Sequence, residues 1–536
     1  MEPLNWLNER KWLLALLLVA ILVRGWHLIT TEVTARDSIH FIRIAWQLDN
    51  HPWSEVLPKA SQHPGFPMAT LLMNKVVQPF FSNDLPMGMQ VSAQLVSILA
   101  SLVLVFPLYG LTRSLFRPPG AILGVFLVQF LPVTARLFPD GLSEALFLVF
   151  AFSGMWFFQM GILRESYRWL SFSGIVSGCA YLTRPEGGLV LVACLLVGGY
   201  LLVGKRVWLV RSGRGRALLG LAILALSFMG PAVPYAMTIG RLTSKPTATR
   251  ILQSNPVEAI GILDSPKAGD PAGGPLWAAW YDFQKEGAPG LGWGIWATTG
   301  MVVRGLLFVF WLPALVTVWK YRRQIMVNAG CLVQSVVAVA VFFALVRVAS
   351  NLGYVSDRHL VLIVVPALLM AGGGLAEWGT GLWGPGASGA DPIRLKWGRG
   401  LYLGFGVVAV LVAARLTLEP LHLNRAGFKT AGYWIRENGS PGDEVIDPYQ
   451  WSHYYAGRVF LEDLPVAQIR SNPPVQWVVL EKGKSKHLRL NLPQEEDLLS
   501  QGAQVAFETA EMPGKSSGGK RLLVYRLPIS LPAPAK

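Results

Sequence analysis

The sequence predicts an α-helical polytopic membrane protein of about eleven transmembrane helices, carrying a small C-terminal extracytoplasmic α/β domain. Three observations predict it. The chain is apolar, with 52% hydrophobic residues, 15% charged residues and a mean hydropathy of +0.42. That is too little charge to cover the surface of a soluble protein of 536 residues. Runs such as 12–29, 89–112, 217–237 and 301–319 match the roughly 20 apolar residues that a hydrocarbon core requires. The short segments between alternate runs are basic, as the positive-inside rule demands of cytoplasmic loops.

In order along the chain, spans are expected at 12–30, 89–112, 119–138, 141–162, 169–183, 187–204, 217–238, 298–319, 325–346, 359–378 and 401–418. The first run is long and no small-residue cleavage site follows it, so it is read as an anchor, not a signal peptide. With the N-terminus in the cytoplasm, every inner turn carries cations, among them Arg113/Arg117, Arg164/Arg168 and Lys320/Arg322/Arg323. The segment 380–399 is read as a flexible inner loop. The net charge of +15 is thereby explained by membrane loops, and no nucleic-acid partner is expected. Cys179, Cys194 and Cys331 all lie in apolar runs, so neither a disulfide framework nor a cysteine metal site is expected.

Three segments fall outside: 31–88, 239–297 and the tail. Making 66–81 a span would invert every later loop, so it is expected to be an interfacial helix. The second segment is rich in Gly and Pro, with Trp277, Trp280, Tyr281, Trp293 and Trp296 suited to the interface. The division is a transmembrane module over 1–419 and an outer domain over 420–536. The tail predicts a helix over 424–438 and strands at 445–446, 458–461, 476–480, 504–508 and 521–526.

The residues able to do chemistry cluster in the outer turns. Asp37 follows the first span and starts an amphipathic helix expected to lie on the membrane surface, with Ile39, Ile42, Ala45 and Trp46 on one face and Arg36, His40, Arg43 and Gln47 on the other. Asp37 has two readings: part of a Thr34-x-x-Asp37 capping box, or a catalytic carboxylate. His63 precedes Pro64 and Pro67, which fix a rigid turn, and reads either as a loop histidine or as a donor to an anion. Pro139 and Asp140 suit a helix start, which places Glu144 one turn on, on the same face and within the membrane boundary. Arg184 and Glu186 share another outer turn, where they can pair with each other or serve a ligand. Asp357, Arg358 and His359 begin a late span. Arg136, Arg304 and Arg347 lie near outer helix ends. Isolated cations at this face run against the positive-inside rule, and a phosphate-bearing ligand would account for them; snorkelling to the interface is the alternative.

In this order, these motifs resemble the GT-C superfamily of integral-membrane glycosyltransferases, and within it the glycosyltransferase family 39-like clan of protein O-mannosyltransferases and aminoarabinose transferases. The resemblance rests on Asp37 with Phe41 and Ala45, His63-Pro64, Asp140 with Glu144, Leu182-Thr-Arg-Pro-Glu-Gly187 and Asp357-Arg358-His359. The tail adds Ala431-Gly-Tyr-Trp434 and Tyr454-Tyr-Ala-Gly-Arg458. It departs at Ser38, where many members carry Glu after the Asp.

The resemblance implies a sugar donor on polyprenyl or dolichyl phosphate, an acceptor hydroxyl on a glycan, lipid or protein, and Asp37 as the base. A carboxylate suits removal of the acceptor proton, and fixed cations suit the departing phosphate. His63, Arg184 and Arg358 are the candidates to bind the donor phosphate. Asp140 and Glu144 are candidates to orient the acceptor or to hold a divalent cation, and no metal is assigned. A single displacement would invert the sugar. The competing class is a secondary transporter or flippase. Against it stand the absence of an internal repeat and the gathering of charge at one face.

Overall fold

The computed structural model describes residues 6–203, 214–245, 290–353, 355–383, 392–447, 449–462, 475–482, 495–510 and 521–528. The sequence reading of Trp277, Trp280 and Tyr281, and of the middle of the 380–399 loop, lies outside them. The flanks of that loop are helical, not loop, because the helices before and after it extend to Trp383 and from Pro392.

Each of the eleven expected spans overlaps helix. Helix α1 covers Trp6–Thr30. After it come α2 (Arg36–Asn50), α3 (Trp53–Lys59) and α4 (Gly65–Val77). Helices α5 (Leu85–Val103) and α6 (Val105–Arg113) join through Leu104 into one continuous apolar rod. The bundle continues with α7 (Pro118–Phe130), α8 (Pro132–Ala135), α9 (Glu144–Leu163), α10 (Tyr167–Thr183), α11 (Gly187–Val203) and α12 (Arg214–Ile239). It closes with α13 (Leu291–Gly305), α14 (Trp311–Ile325), α15 (Ala329–Leu352), α16 (Val361–Trp383) and α17 (Pro392–Thr417). Among the described residues, seven helices are long and apolar enough to cross a membrane unaided, and α7 and α11 are shorter apolar helices.

Two expected spans are broken. The 119–138 run divides at Leu131, because Pro132 cannot continue the hydrogen-bond ladder. The 298–319 run divides at Leu307 and Phe308, whose φ angles of 51° and 59° are left-handed.

Close helix contacts rest on small residues. A Cβ on Gly124 would lie 2.9 Å from the Leu369 carbonyl oxygen, and one on Gly372 would lie 2.3 Å from the Gly124 backbone, so α7 and α16 touch through their main chains. The core there is packed from Leu108, Tyr109, Val125, Val128, Phe152 and Val364.

Beyond α17 the chain forms α18 (Ala426–Asn438), α19 (Trp451–Tyr455), α20 (Glu495–Ser500) and a four-stranded sheet in the order β1-β2-β4-β3. The strands are β1 (Glu444–Ile446), β2 (Val475–Glu481), β3 (Gln504–Glu508) and β4 (Leu522–Pro528). Strand β1 runs parallel to β2, and the other pairings are antiparallel. The expected strand at 458–461 is instead a 3-10 turn over Arg458–Phe460, launched by Gly457 at φ 76°.

Helix α2 does not lie bare on a membrane surface. Ile39, Phe41, Ile42, Ile44, Ala45 and Leu48 are all buried, and they share one apolar core with α4, α5 and the C-terminal residues Phe428, Tyr454, Tyr455 and Phe460. Helix α4 buries Phe66 and Leu71 in the same core and leaves Leu72 and Val76 exposed.

Candidate active site

Four turns converge at the end of the bundle that carries the sheet. The first is the segment 31–35, which delivers α2. Its backbone is held from both sides by the C-terminal region: the Thr34 N–H donates to Tyr455 Oη at 3.2 Å, and Trp451 Nε1 donates to the Thr34 carbonyl at 2.9 Å. The expected capping box does not form. Ala35 is the N-cap, no side chain caps the helix, and Thr34 Oγ1 has no hydrogen-bond partner. Asp37 is thereby released from a capping role, and its carboxylate is ion-paired with Arg358. Burial alone would raise the Asp37 carboxyl, but the guanidinium of Arg358, helped by His40 and Arg36, holds it below the usual carboxylate range.

The second turn holds Asp140 and Glu144, and the helix begins later than the sequence suggests. Gly141 takes φ 67°, and a Cβ there would lie 2.9 Å from Ser38 Oγ, so the turn is wedged against the start of α2. Glu144 is then the first residue of α9. The two carboxylates diverge. Asp140 pairs with His422 Nε2 at 2.8 Å, and Glu144 accepts from Arg184 Nη1 at 2.5 Å. They do not frame a shared cation site. Among the described residues, no three His, Cys, Asp or Glu side chains converge in a way that could hold a metal ion.

The third turn follows α10. Arg184 is buried between two carboxylates, Glu144 and Glu186, the latter at 3.0 Å. Glu186 also faces Lys245 Nζ at 4.0 Å. Desolvation works against the charged Glu186, yet Arg184 and Lys245 overcome it and hold its carboxyl far below the normal range. Burial and the Arg184 charge lower the Lys245 ammonium, with Glu186 and Glu144 opposing them. The fourth turn is Asp357–Leu360 ahead of α16. Here Arg358 feels Glu144 and Arg184 as well as Asp37, and Asp357 pairs with Arg304 at 3.3 Å.

Asp37, Glu144, Arg184 and Arg358 are therefore brought together, and Glu186 and Lys245 join them. The sequence reading passed over Lys245, which lies at the edge of a Gly- and Pro-rich segment without helical or strand periodicity.

His63 is placed differently from its neighbours. It is 1% exposed. Its Nδ1 lies 2.7 Å from the Tyr181 carbonyl and its Nε2 lies 2.9 Å from Thr243 Oγ1. A neutral ring with the proton on Nδ1 satisfies both contacts, donating to the carbonyl and accepting from the hydroxyl. Burial pushes the imidazole down to about 4, against the opposing pull of the Tyr181 carbonyl. With both nitrogens engaged, His63 offers no free donor to a phosphate. Thr243 Oγ1 in turn accepts from the Lys245 backbone N–H at 3.1 Å, so His63 braces the strand of chain that carries Lys245. Arg136 pairs with Glu419 at 3.0 Å, and Arg347 is exposed on α15.

This architecture has solved counterparts. The crystal structure of ArnT from Cupriavidus metallidurans bound to undecaprenyl phosphate is similar at a TM-score of 0.55 and 13% identity, over 96% of this chain and 98% of that one. The apo oligosaccharyltransferase of Archaeoglobus fulgidus is similar at 0.53 and 14% identity, over 85% of this chain and 65% of that one. The archaeal oligosaccharyltransferase AglB of the same organism, in complex with an inhibitory peptide and a dolichol-phosphate, is similar at 0.51 and 14% identity, over 84% and 60%. This chain thus spans less than two thirds of the archaeal enzyme. Residues 70–235 match the family model for dolichyl-phosphate-mannose-protein mannosyltransferase. No curated protein matches the chain. The chain is a multi-pass membrane protein with the fold of the GT-C glycosyltransferases.

Proposed function

We propose that this protein transfers a sugar from a polyprenyl- or dolichyl-phosphate donor to an acceptor hydroxyl on the extracytoplasmic side, inverting the anomeric centre, with Asp37 as base. The observation that carries the reading is the Asp37–Arg358 pair, set among Arg184, Lys245 and Glu144 at one end of a GT-C bundle. A base and phosphate-binding cations are the two kinds of group that this chemistry needs. Support for the donor class comes from the similar folds solved with undecaprenyl phosphate and dolichol-phosphate.

In the reaction, the acceptor oxygen attacks C1 of the sugar and its proton passes to an Asp37 carboxylate oxygen. The C1–O bond to phosphate breaks, and its electron pair leaves with the lipid phosphate. Arg358 and Lys245 are assigned to bind that phosphate. Arg184 is assigned to position them, because its guanidinium is already shared by Glu144 and Glu186. His63 is assigned to hold Lys245 in place through Thr243. Entry of the donor draws Arg358 towards phosphate and leaves the Asp37 carboxylate free to accept a proton. Asp140, fixed by His422, is assigned to shape the acceptor side, next to Gly141, whose turn is wedged against the start of α2.

The orientation with the N-terminus in the cytoplasm follows from the basic turns at the opposite end. The test uses the purified full chain in nanodiscs with a panel of radiolabelled polyprenyl-phosphate sugars. Wild type is expected to release lipid phosphate and label an envelope extract. Asp37→Asn is expected to bind the donor without turnover. Donor movement across the bilayer with no glycosidic bond broken would instead establish a transporter.

A further inference from the structure

A second concavity lies on the C-terminal side of the 31–35 segment. Its volume is about 520 Å³. One wall is a single face of α18, with Lys429, Thr430, Tyr433 and Glu437 projecting at helical spacing. Trp434 closes one side, stacked on Phe507 at 5.0 Å and 9° between planes. The opposite wall is Glu32, which lies 3.6 Å from Lys429 Nζ.

This lining has a specific chemistry. Aromatic rings offer flat apolar faces, and an exposed threonine with two exposed carboxylates offers hydrogen-bonding groups around them. Sugar rings present that same combination, an apolar face rimmed by hydroxyls. A lipid phosphate would instead meet two carboxylates against one lysine. The floor is firm: Tyr433 donates to Asp84 Oδ2 at 2.7 Å, and Arg436 pairs with the same carboxylate at 3.0 Å. The groove is also tied to the active site. Glu32 precedes Asp37 by five residues, a reach of at most about 17 Å, and the intervening backbone is clamped at Thr34 by Tyr455 and Trp451.

We infer that this groove between α18 and Glu32 is an acceptor subsite that binds inner sugars of an oligosaccharide whose terminal hydroxyl reaches Asp37. The inference rests on the glycosyltransferase reading and names its acceptor as a glycan. A second requirement follows: short acceptors fail to reach both places at once, so binding strengthens with saccharide length.

The test is direct capture. The biotinylated full chain in nanodiscs is applied to arrayed oligosaccharides of graded length, released from the envelope of the cells that carry the protein, and to arrayed Ser/Thr peptides. Capture on saccharides is expected to rise with length. It is expected to fall by about tenfold or more in Thr430→Arg and Glu437→Lys, as when a contact at the heart of an interface is lost. Both positions are exposed on α18, and an unchanged melting temperature certifies the fold. Capture on peptides alone, no capture on any saccharide, or saccharide capture unaffected by both variants overturns the groove. Lipid-phosphate release by wild type is measured alongside. Release without glycan capture rejects the groove alone, and capture without release rejects the glycosyltransferase reading on which it rests.

Discussion

At the end of the bundle away from the sheet, Glu9 is buried where α1 meets α6. It accepts from Tyr109 Oη and from Arg113 Nη2 at 3.1 Å, and Arg113 also donates to the Phe116 carbonyl. At the end that carries the sheet, Glu144 is buried against Arg184, but its Oε2 has no hydrogen-bond partner, and neither does Asp357 Oδ1. The first arrangement is a closed clasp holding two helices. The second is a group of charges with bonding capacity left over, which a buried site tolerates only at a cost in stability. Two buried ion pairs of similar appearance thus differ in what they leave unsatisfied, and the proposed function uses the one with spare oxygens.

The comparison breaks most sharply at Asp37. Asp37→Asn is expected to lower turnover by about 10³-fold, within the range of a lost general base, with donor affinity retained; single-turnover assays measure it. Retention of more than a tenth of wild-type turnover would remove Asp37 from the chemistry. Next come the two buried ion pairs. Glu9→Ala removes the ion-pair partner of the buried Arg113 and is expected to cost about 3–5 kcal/mol; Glu144→Ala leaves Arg184 paired with Glu186 and is expected to cost less, both read as lower melting temperatures in detergent. Only Glu144→Ala is expected to abolish transfer by the fraction that remains folded. Equal activity losses would erase the distinction between the two ends.

Arg358→Gln is expected to weaken donor binding by roughly ten- to a hundredfold, the worth of one charge-assisted hydrogen bond. It also removes the charge that holds the Asp37 carboxyl down, so the acid limb of the pH–rate profile should move to higher pH.

The smallest effects come from two histidines of opposite sign. His63 is depressed from 6.5 to about 4 on folding. Its contribution is complete above pH 6.5 and is lost as pH falls from there towards 4, because the unfolded chain takes up the proton first. His422 is raised by Asp140 against the effect of burial. Its contribution is complete below 6.5 and fades as pH rises through the elevated folded value. Melting temperature against pH should lose its acid slope in His63→Leu and its alkaline slope in His422→Asn.

Hydrophobic periodicity located the spans well where nothing interrupts them. The expected 169–183 and 187–204 appear as Tyr167–Thr183 and Gly187–Val203. Pro132 is a visible breaker that was read through, whereas Leu307 and Phe308 carry no sequence signal for their left-handed backbone. The outer acidic and basic residues were recognisable because they sit where charge is disfavoured. Their pairing was not, since Glu144 with Arg184 and Asp37 with Arg358 bring together turns far apart in the chain. The divergence of Asp140 from Glu144 depends on the conformation of Gly141, which spacing alone does not reveal. The burial of α2 was missed because its second apolar face is covered by residues after 427.

The clamp on Thr34 bears on how the protein is made. Tyr455 and Trp451, which fix the entry to the helix bearing Asp37, are synthesised more than four hundred residues after Thr34. Until residues 451–455 have been synthesised and docked, the turn that delivers Asp37 lacks both of these hydrogen bonds. A chain cut before Trp451 is thus expected to insert its bundle while lacking both hydrogen bonds that hold Thr34.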